Sequence, residues 1–293
     1  MIYILLVFAT IATSSKAIIC KKIGGDNRDM RGVLFLNANL FAVAAVTILI
    51  CYADKVKSFF EISPFSLLLS LVFAGFLLFT QIMQILAMSR GFASLSSLIY
   101  SCGFLLPIFY SAIFLNEPLS LPQLLGILLL LASFCVILPP DRNGKFSFLW
   151  LVLALLSMIG SGTNAIIQKI HQSSDFKEEL APFLFFALLF AALFSLLLSF
   201  TIRKEKSPRS AMYRQKGAFL LMLIGGIVVG GMNVANLMLA GRIPAVIQFP
   251  VYNICSMLLT ALAGRLLFGE KIGTRKLFGF AMGLLAITVI GLL

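Results

Sequence analysis

The chain carries ten apolar runs, at roughly 2–21, 32–52, 66–88, 94–115, 120–138, 148–169, 182–202, 217–239, 246–268 and 275–293. A helix rises ~1.5 Å per residue and the hydrocarbon layer is ~30 Å thick, so about 20 apolar residues make one crossing. Lipid offers no partner to an exposed backbone amide, which leaves the helix as the economical conformation for each run. The longest stretch between runs, 203–216, is too short for a globular domain, so any binding site must lie among the helices. The sequence therefore predicts an all-α integral membrane protein with ten transmembrane helices. Its composition agrees: 12% of residues are charged, against ~25% in soluble domains, and the mean hydropathy is +1.05.

The first run has no basic residue before its apolar part, unlike a secretory leader. It also aligns with the sixth run. Thr13, Lys16, Ala17, Cys20 and Lys21 fall opposite Ser161, Asn164, Ala165, Gln168 and Lys169 at a constant offset of 148, so it is read as a retained helix.

That alignment is part of a larger duplication. Gln81 and Gln84, Ser89-Arg90, Tyr100-Ser101 and the turn Leu115-Asn116-Glu117-Pro118-Leu119 return as Asn233 and Asn236, Gly241-Arg242, Tyr252-Asn253 and Phe268-Gly269-Glu270-Lys271-Ile272. The offset is 152 at Tyr100/Tyr252 and 153 at Glu117/Glu270. The expected organisation is a first repeat over 1–138, a connecting loop at 139–147 and a second repeat over 148–293. Five helices per repeat is an odd number, so the second repeat enters the membrane from the opposite side. Two inverted five-helix repeats are a known basis for alternating access, in which similar halves rock about a site near the midplane.

Basic residues orient the helices. Lys and Arg concentrate in the loops after the first, third, fifth, seventh and ninth runs, as at Lys21, Lys22, Arg28, Arg142, Arg203, Lys204 and Arg275. The other loops hold only Lys55, Lys57, Lys169, Lys177 and Arg242. By the positive-inside rule both termini lie outside the cytoplasm. The same placement explains the net charge of +12 as contact with a membrane surface, with no nucleic-acid partner expected.

Polar groups inside a bilayer are costly and usually face the bundle interior or a wet cavity. Ser157, Ser161, Asn164 and Gln168 share one face of the sixth helix, which the first repeats as Thr13, Lys16 and Cys20. Gln81 and Gln84 share a face of the third helix, and Asn233 and Asn236 one of the eighth. The ninth presents Gln248, Tyr252 and Ser256 with Asn253 beside them, and the fourth presents Ser96, Ser97, Tyr100 and Ser101. Such amides can simply tie helices together. Their recurrence at matching positions in both repeats favours contact with a substrate. Lys16 is the charged residue well inside a span; it either snorkels toward the surface or draws a carboxylate or phosphate into a cavity.

Other features are assigned structural roles. Glu117 and Glu270 are expected to favour the amino end of the helix that follows each of them, and Ser120 with Gln123 has capping-box spacing. His171 is expected at the interface. Cys20, Cys51, Cys102, Cys135 and Cys255 have no paired spacing and read as packing residues. Pro107 and Pro250 are expected to interrupt the fourth and ninth helices. Gly225, Gly226, Gly230 and Gly231 thin one side of the eighth helix, and Gly279 with Gly283 suits either internal packing or a homodimer through the fifth and tenth helices. No nucleophile with a base and no metal cluster is evident, so neither an enzyme nor a cofactor is expected.

Gly162-Thr163-Asn164 with Lys169 five residues on, the two Glu turns, and Gly126 and Gly279 nine residues after each Glu resemble the EamA-type carriers of the drug/metabolite transporter superfamily. The resemblance covers nearly the whole chain as two five-helix repeats. It implies an inverted-repeat fold with a central cavity lined by the first, third, fourth, sixth, eighth and ninth helices, and transport of metabolites, amino acids or drug-like compounds. The chain departs from the pattern at Lys16, where an uncharged residue is more usual, and the family is usually drawn with cytoplasmic termini, opposite to the charge count.

The expectation is a multi-pass secondary transporter of the plasma membrane, probing a small-molecule substrate with Lys16, Gln81, Gln84, Tyr100, Asn164, Asn233, Asn236, Gln248, Tyr252 and Asn253. The alternatives are efflux of lipophilic compounds, flipping of a lipid intermediate, and a receptor that binds without flux.

Overall fold

The computed structural model describes residues 2–24, 30–53, 59–91, 93–137, 147–202, 218–268 and 273–291. The Glu270 turn, most of the connecting loop, the 203–216 loop and the side chains of Cys20 and Lys21 lie outside the described residues.

Among the described residues the chain folds into ten long helices: α1 (Ile2–Gly24), α2 (Met30–Cys51), α3 (Pro64–Arg90), α4 in two pieces (α4a, Ala93–Ser101, and α4b, Leu105–Phe114), α5 (Leu121–Ile137), α6 (Phe148–Ser173), α7 (Leu180–Thr201), α8 (Ala218–Ala240), α9 (Ala245–Phe268) and α10 (Thr274–Gly291). Among the described residues eight are long and apolar enough to cross a membrane. α5 and α10 are shorter, at 17 and 18 residues. It is an all-α integral membrane protein.

Local signals set several boundaries. Ser63 caps α3 by accepting the Ser66 N–H, with Pro64 at the first helical position, where a missing N–H does no harm. Ser147 caps α6 through the Trp150 N–H. At α5 the Ser120–Gln123 capping box forms: the Gln123 side chain accepts the Ser120 N–H at 3.0 Å, and the Ser120 hydroxyl accepts the Gln123 N–H at 3.4 Å.

The two prolines act differently. α4 breaks into a 3-10 turn at Cys102–Phe104, just ahead of Pro107, whose ring would otherwise press on the Gly103 carbonyl four residues earlier. Pro250, in contrast, lies inside an uninterrupted α9. There it falls in the second turn, and Val246 is the carbonyl deprived of its donor.

The residues gather into two compact units, and each draws on both repeats. One holds Tyr3–Leu78 and His171–Met238: α1, α2, the first half of α3, α7 and α8. α2 packs extensively on α7 here, and Ala44, Ala45, Ala187 and Ala191 on these helices are buried. The glycine face of α8 lies against α1 and α2. A methyl at Gly226 would reach the Leu40 carbonyl at 3.1 Å, and one at Gly225 would reach Ile19 at 3.2 Å. His171, expected at the interface, is fully buried: its ring stacks on Phe183 at 4.2 Å, with Nε2 3.4 Å from the Ser66 hydroxyl. Periodicity could not reveal that, because the covering aromatic comes from a different helix.

The second unit holds Phe79–Ile170 and Leu239–Leu293: the rest of α3, α4, α5, nearly all of α6, α9 and α10. α5 packs on α10, and Phe104, Ile108, Leu130, Phe134, Ile254 and Phe280 form its core with α4b and α9. Gly279 is filled against Ile137 and Ser133, and Gly283 against Ile254 and Ser133, so these glycines serve packing within the chain.

Among the described residues α2 packs extensively on α7 and α5 on α10, so in each pair a helix meets the one at the matching place in the other expected repeat. A two-fold relation between inverted repeats produces that pattern, because a contact on the axis is made by the same surface twice.

Candidate functional site

Seven of the ten sequence-predicted residues belong to the second unit and three to the first. In the second unit the polar face of α6 is the centre. Ser157 is buried, its hydroxyl turned back to the Ala154 carbonyl. Ser161, one turn on, receives a hydrogen bond from or donates one to the Tyr100 hydroxyl of α4a. Asn164, a further turn on and 9% exposed, donates through Nδ2 to the Thr80 hydroxyl of α3 at 3.3 Å. Gln168 follows, also buried. One stripe of α6 thus touches α3 and α4a.

The backbone permits this closeness. Gly160 faces Thr80 and Phe79, and Gly103 faces Gly162 so tightly that a methyl at Gly162 would stand 2.6 Å from the Gly103 carbonyl. Two glycines opposite one another let α4 and α6 meet backbone to backbone, and that brings Tyr100 to Ser161.

Thr80 is the partner that the sequence reading did not single out as a site residue. A threonine in an apolar helix most often bonds its own backbone, so the sequence offered no mark beyond its place immediately before Gln81.

Asn164 is only half-satisfied. Its Oδ1 is buried and has no hydrogen-bond partner among the described residues. Gln81 and Gln84 lie half-buried on the same half of α3. On α9 Gln248 is fully buried while Tyr252 and Asn253 are half-buried, and the Asn253 amide turns back to the Phe249 carbonyl at 2.9 Å.

In the first unit, Lys16 is half-buried on α1, and no described carboxylate pairs with it. The Thr13 hydroxyl one turn earlier is spent on the Ala9 carbonyl. On α8 Asn233 is buried and donates to the Val229 carbonyl at 2.8 Å, whereas Asn236 is half-buried. Asn233 and Asn253 therefore bond within their own helices, whereas Asn164 reaches a neighbouring helix.

Glu117 corrects an expectation. It does not serve the helix that follows it. Asn116 takes a left-handed backbone conformation (φ 52°), tolerated by asparagine, and the Glu117 side chain lies against α9 and α6. One carboxylate oxygen accepts the Ala245 N–H at 2.8 Å, at the start of α9, and the other accepts from the Lys169 ammonium at 2.8 Å. Lys169, 2% exposed, also donates to the Ile243 carbonyl at 2.9 Å. Among the described residues no cluster of three His, Cys, Asp or Glu side chains could hold a metal.

A family model described as the EamA-like transporter family matches residues 148–292. A solved structure titled only as the crystal structure of a protein is similar in fold, with a TM-score of 0.79 at 15% sequence identity, covering 99% of this chain and 96% of the other. No curated protein sequence matches the chain.

Proposed function

We propose, from the match of residues 148–292 to the EamA-like transporter family, that the chain is a secondary carrier moving a small polar metabolite or amino acid, anionic ones included, by alternating access. Lys16 attracts a negatively charged group; Gln81, Gln84, Asn164, Asn233, Asn236, Gln248 and Asn253 orient polar groups, and Tyr100 and Tyr252 stack or hydrogen-bond. The two repeats, 1–138 and 148–293 joined at 139–147, each supply matching polar stripes for the substrate. A bacterial plasma membrane is the proposed location. Any self-association through α5 and α10 would use outer residues such as Leu128 and Leu285, because Gly279 and Gly283 face inward.

The observation that favours a polar cargo over a lipophilic one is Lys16, a cation held half-buried along an apolar helix without a described carboxylate. Such a charge is costly in a membrane unless it snorkels or has work to do. The test is thermal stabilisation of the purified protein by amino acids, organic anions, sugar phosphates and lipophilic cations, since a ligand that binds only the folded state raises its stability. Stabilisation by anionic compounds that is lost in Lys16→Gln supports the reading. Stabilisation by lipophilic cations alone, unchanged in Lys16→Gln, overturns it in favour of efflux.

A further inference from the structure

The amide of Asn164 is used on one side only. Its Nδ2 is engaged by Thr80, while Oδ1 is buried without a partner. A carbonyl oxygen removed from water and left unpaired is destabilising, and native proteins keep few of them. Around it the polar groups are otherwise engaged: the Tyr100 hydroxyl with Ser161, the Ser157 hydroxyl with Ala154. The stripe therefore offers an incoming molecule a preformed acceptor, held in place by its bond to Thr80 and by the glycine contacts that fix α6 against α3 and α4.

We propose that Asn164 Oδ1 selects the cargo by accepting a hydrogen bond from an N–H or O–H group, so that the part of the substrate lodged beside α6 is an ammonium, amide or hydroxyl and never a bare carboxylate or phosphate. The reading rests on the carrier assignment above and refines it. An ionised oxygen placed against Oδ1 would set lone pair against lone pair with no proton between them. An N–H donor satisfies the orphaned atom and makes binding itself complete a hydrogen bond that the empty protein lacks. Discrimination of this kind is steep, because a site built around a buried polar atom rejects analogues that cannot pair with it.

The experiment measures thermal stabilisation of the intact protein by matched pairs: L-alanine and L-leucine against their N-trimethyl betaines, their primary amides against the N,N-dimethylamides, and the corresponding 2-hydroxy acids against their methyl ethers. The same pairs are run on Asn164→Leu and Asn164→Asp. The expected result is that donor-bearing members stabilise the wild type at least tenfold more potently than their methylated partners. Asn164→Leu abolishes this preference while its ligand-free melting temperature is unchanged or raised, and Asn164→Asp, which keeps the acceptor, retains a preference for the ammonium compounds. Equal potency of methylated and unmethylated members overturns the assignment of Oδ1 while leaving a polar carrier intact. Failure of every polar compound to bind the wild type overturns the carrier reading together with it. A ligand-free Asn164→Leu that unfolds many degrees lower makes the residue a structural tie, provided Asn164→Asp also shows no preference.

Discussion

The Lys169 ammonium and the Glu117 carboxylate meet at 2.8 Å with the lysine almost completely enclosed, and the same carboxylate holds the first N–H of α9. One side chain from the α4–α5 turn thus joins the end of α6 to the start of α9. Removing a partner from a buried pair leaves an uncompensated charge, at about 3–5 kcal/mol. The costs should be unequal. Glu117→Leu leaves Lys169 with only the Ile243 carbonyl and strips the α9 amino end of its acceptor; Lys169→Leu leaves a partly exposed carboxylate that still accepts from Ala245. Thermal unfolding in detergent should rank Glu117→Leu below Lys169→Leu, with the double variant milder than the sum. Equal, additive losses would mean that the two side chains do not act as a pair.

Lys16→Leu is expected to leave folding stability within about 1 kcal/mol of wild type or to raise it, because a half-buried charge is replaced by an apolar side chain. Binding of anionic compounds should fall. The pairing of preserved melting temperature with lost anion response is the measurement, and a collapse of both would make Lys16 a structural residue.

Gly162→Ala and Gly75→Ala provide opposite outcomes from the same substitution. The new methyl at 162 meets the Gly103 carbonyl at 2.6 Å and the Leu106 Cβ at 2.7 Å, atoms that cannot move aside without shifting α4. It should cost about 1–3 kcal/mol by overpacking. At 75 nothing lies within 4 Å, so the better helix propensity of alanine should add up to about 1 kcal/mol. Melting temperatures moving in the same direction would contradict this account of the α4–α6 contact.

Ser120→Ala removes one half of the capping box at α5 and should cost about 1 kcal/mol. Ser120→Asp, which keeps an acceptor for the Gln123 N–H, should recover most of it in the same unfolding assay.

The helices were legible because their dominant constraint is one-dimensional: run length gives crossings. Caps at Ser120 and the packing role of Gly225 and Gly226 follow from residue type and spacing alone. What could not be read is where a long side chain goes once helices assemble. Glu117 precedes α5 in sequence yet serves α9, because the left-handed turn at Asn116 places it there. A lysine at the end of an apolar helix, Lys169, was the hint that a carboxylate had to be near it. The amides divide by the same logic: Asn233, Asn253 and Asn164 look equivalent as letters on stripes, and only the positions of neighbouring backbones show that two return to their own helices while one crosses to Thr80.

The pairing of α2 with α7 and of α5 with α10 carries a consequence for cutting the chain. Each five-helix half bears both surfaces that its companion requires, so the covalent link between them supplies proximity more than recognition. Severed between 138 and 147 and produced as separate polypeptides in one cell, the halves should find each other in the bilayer and rebuild the protein. Either half alone, inserted in a single orientation, should not rebuild it, because the pairing surfaces meet only between oppositely oriented halves.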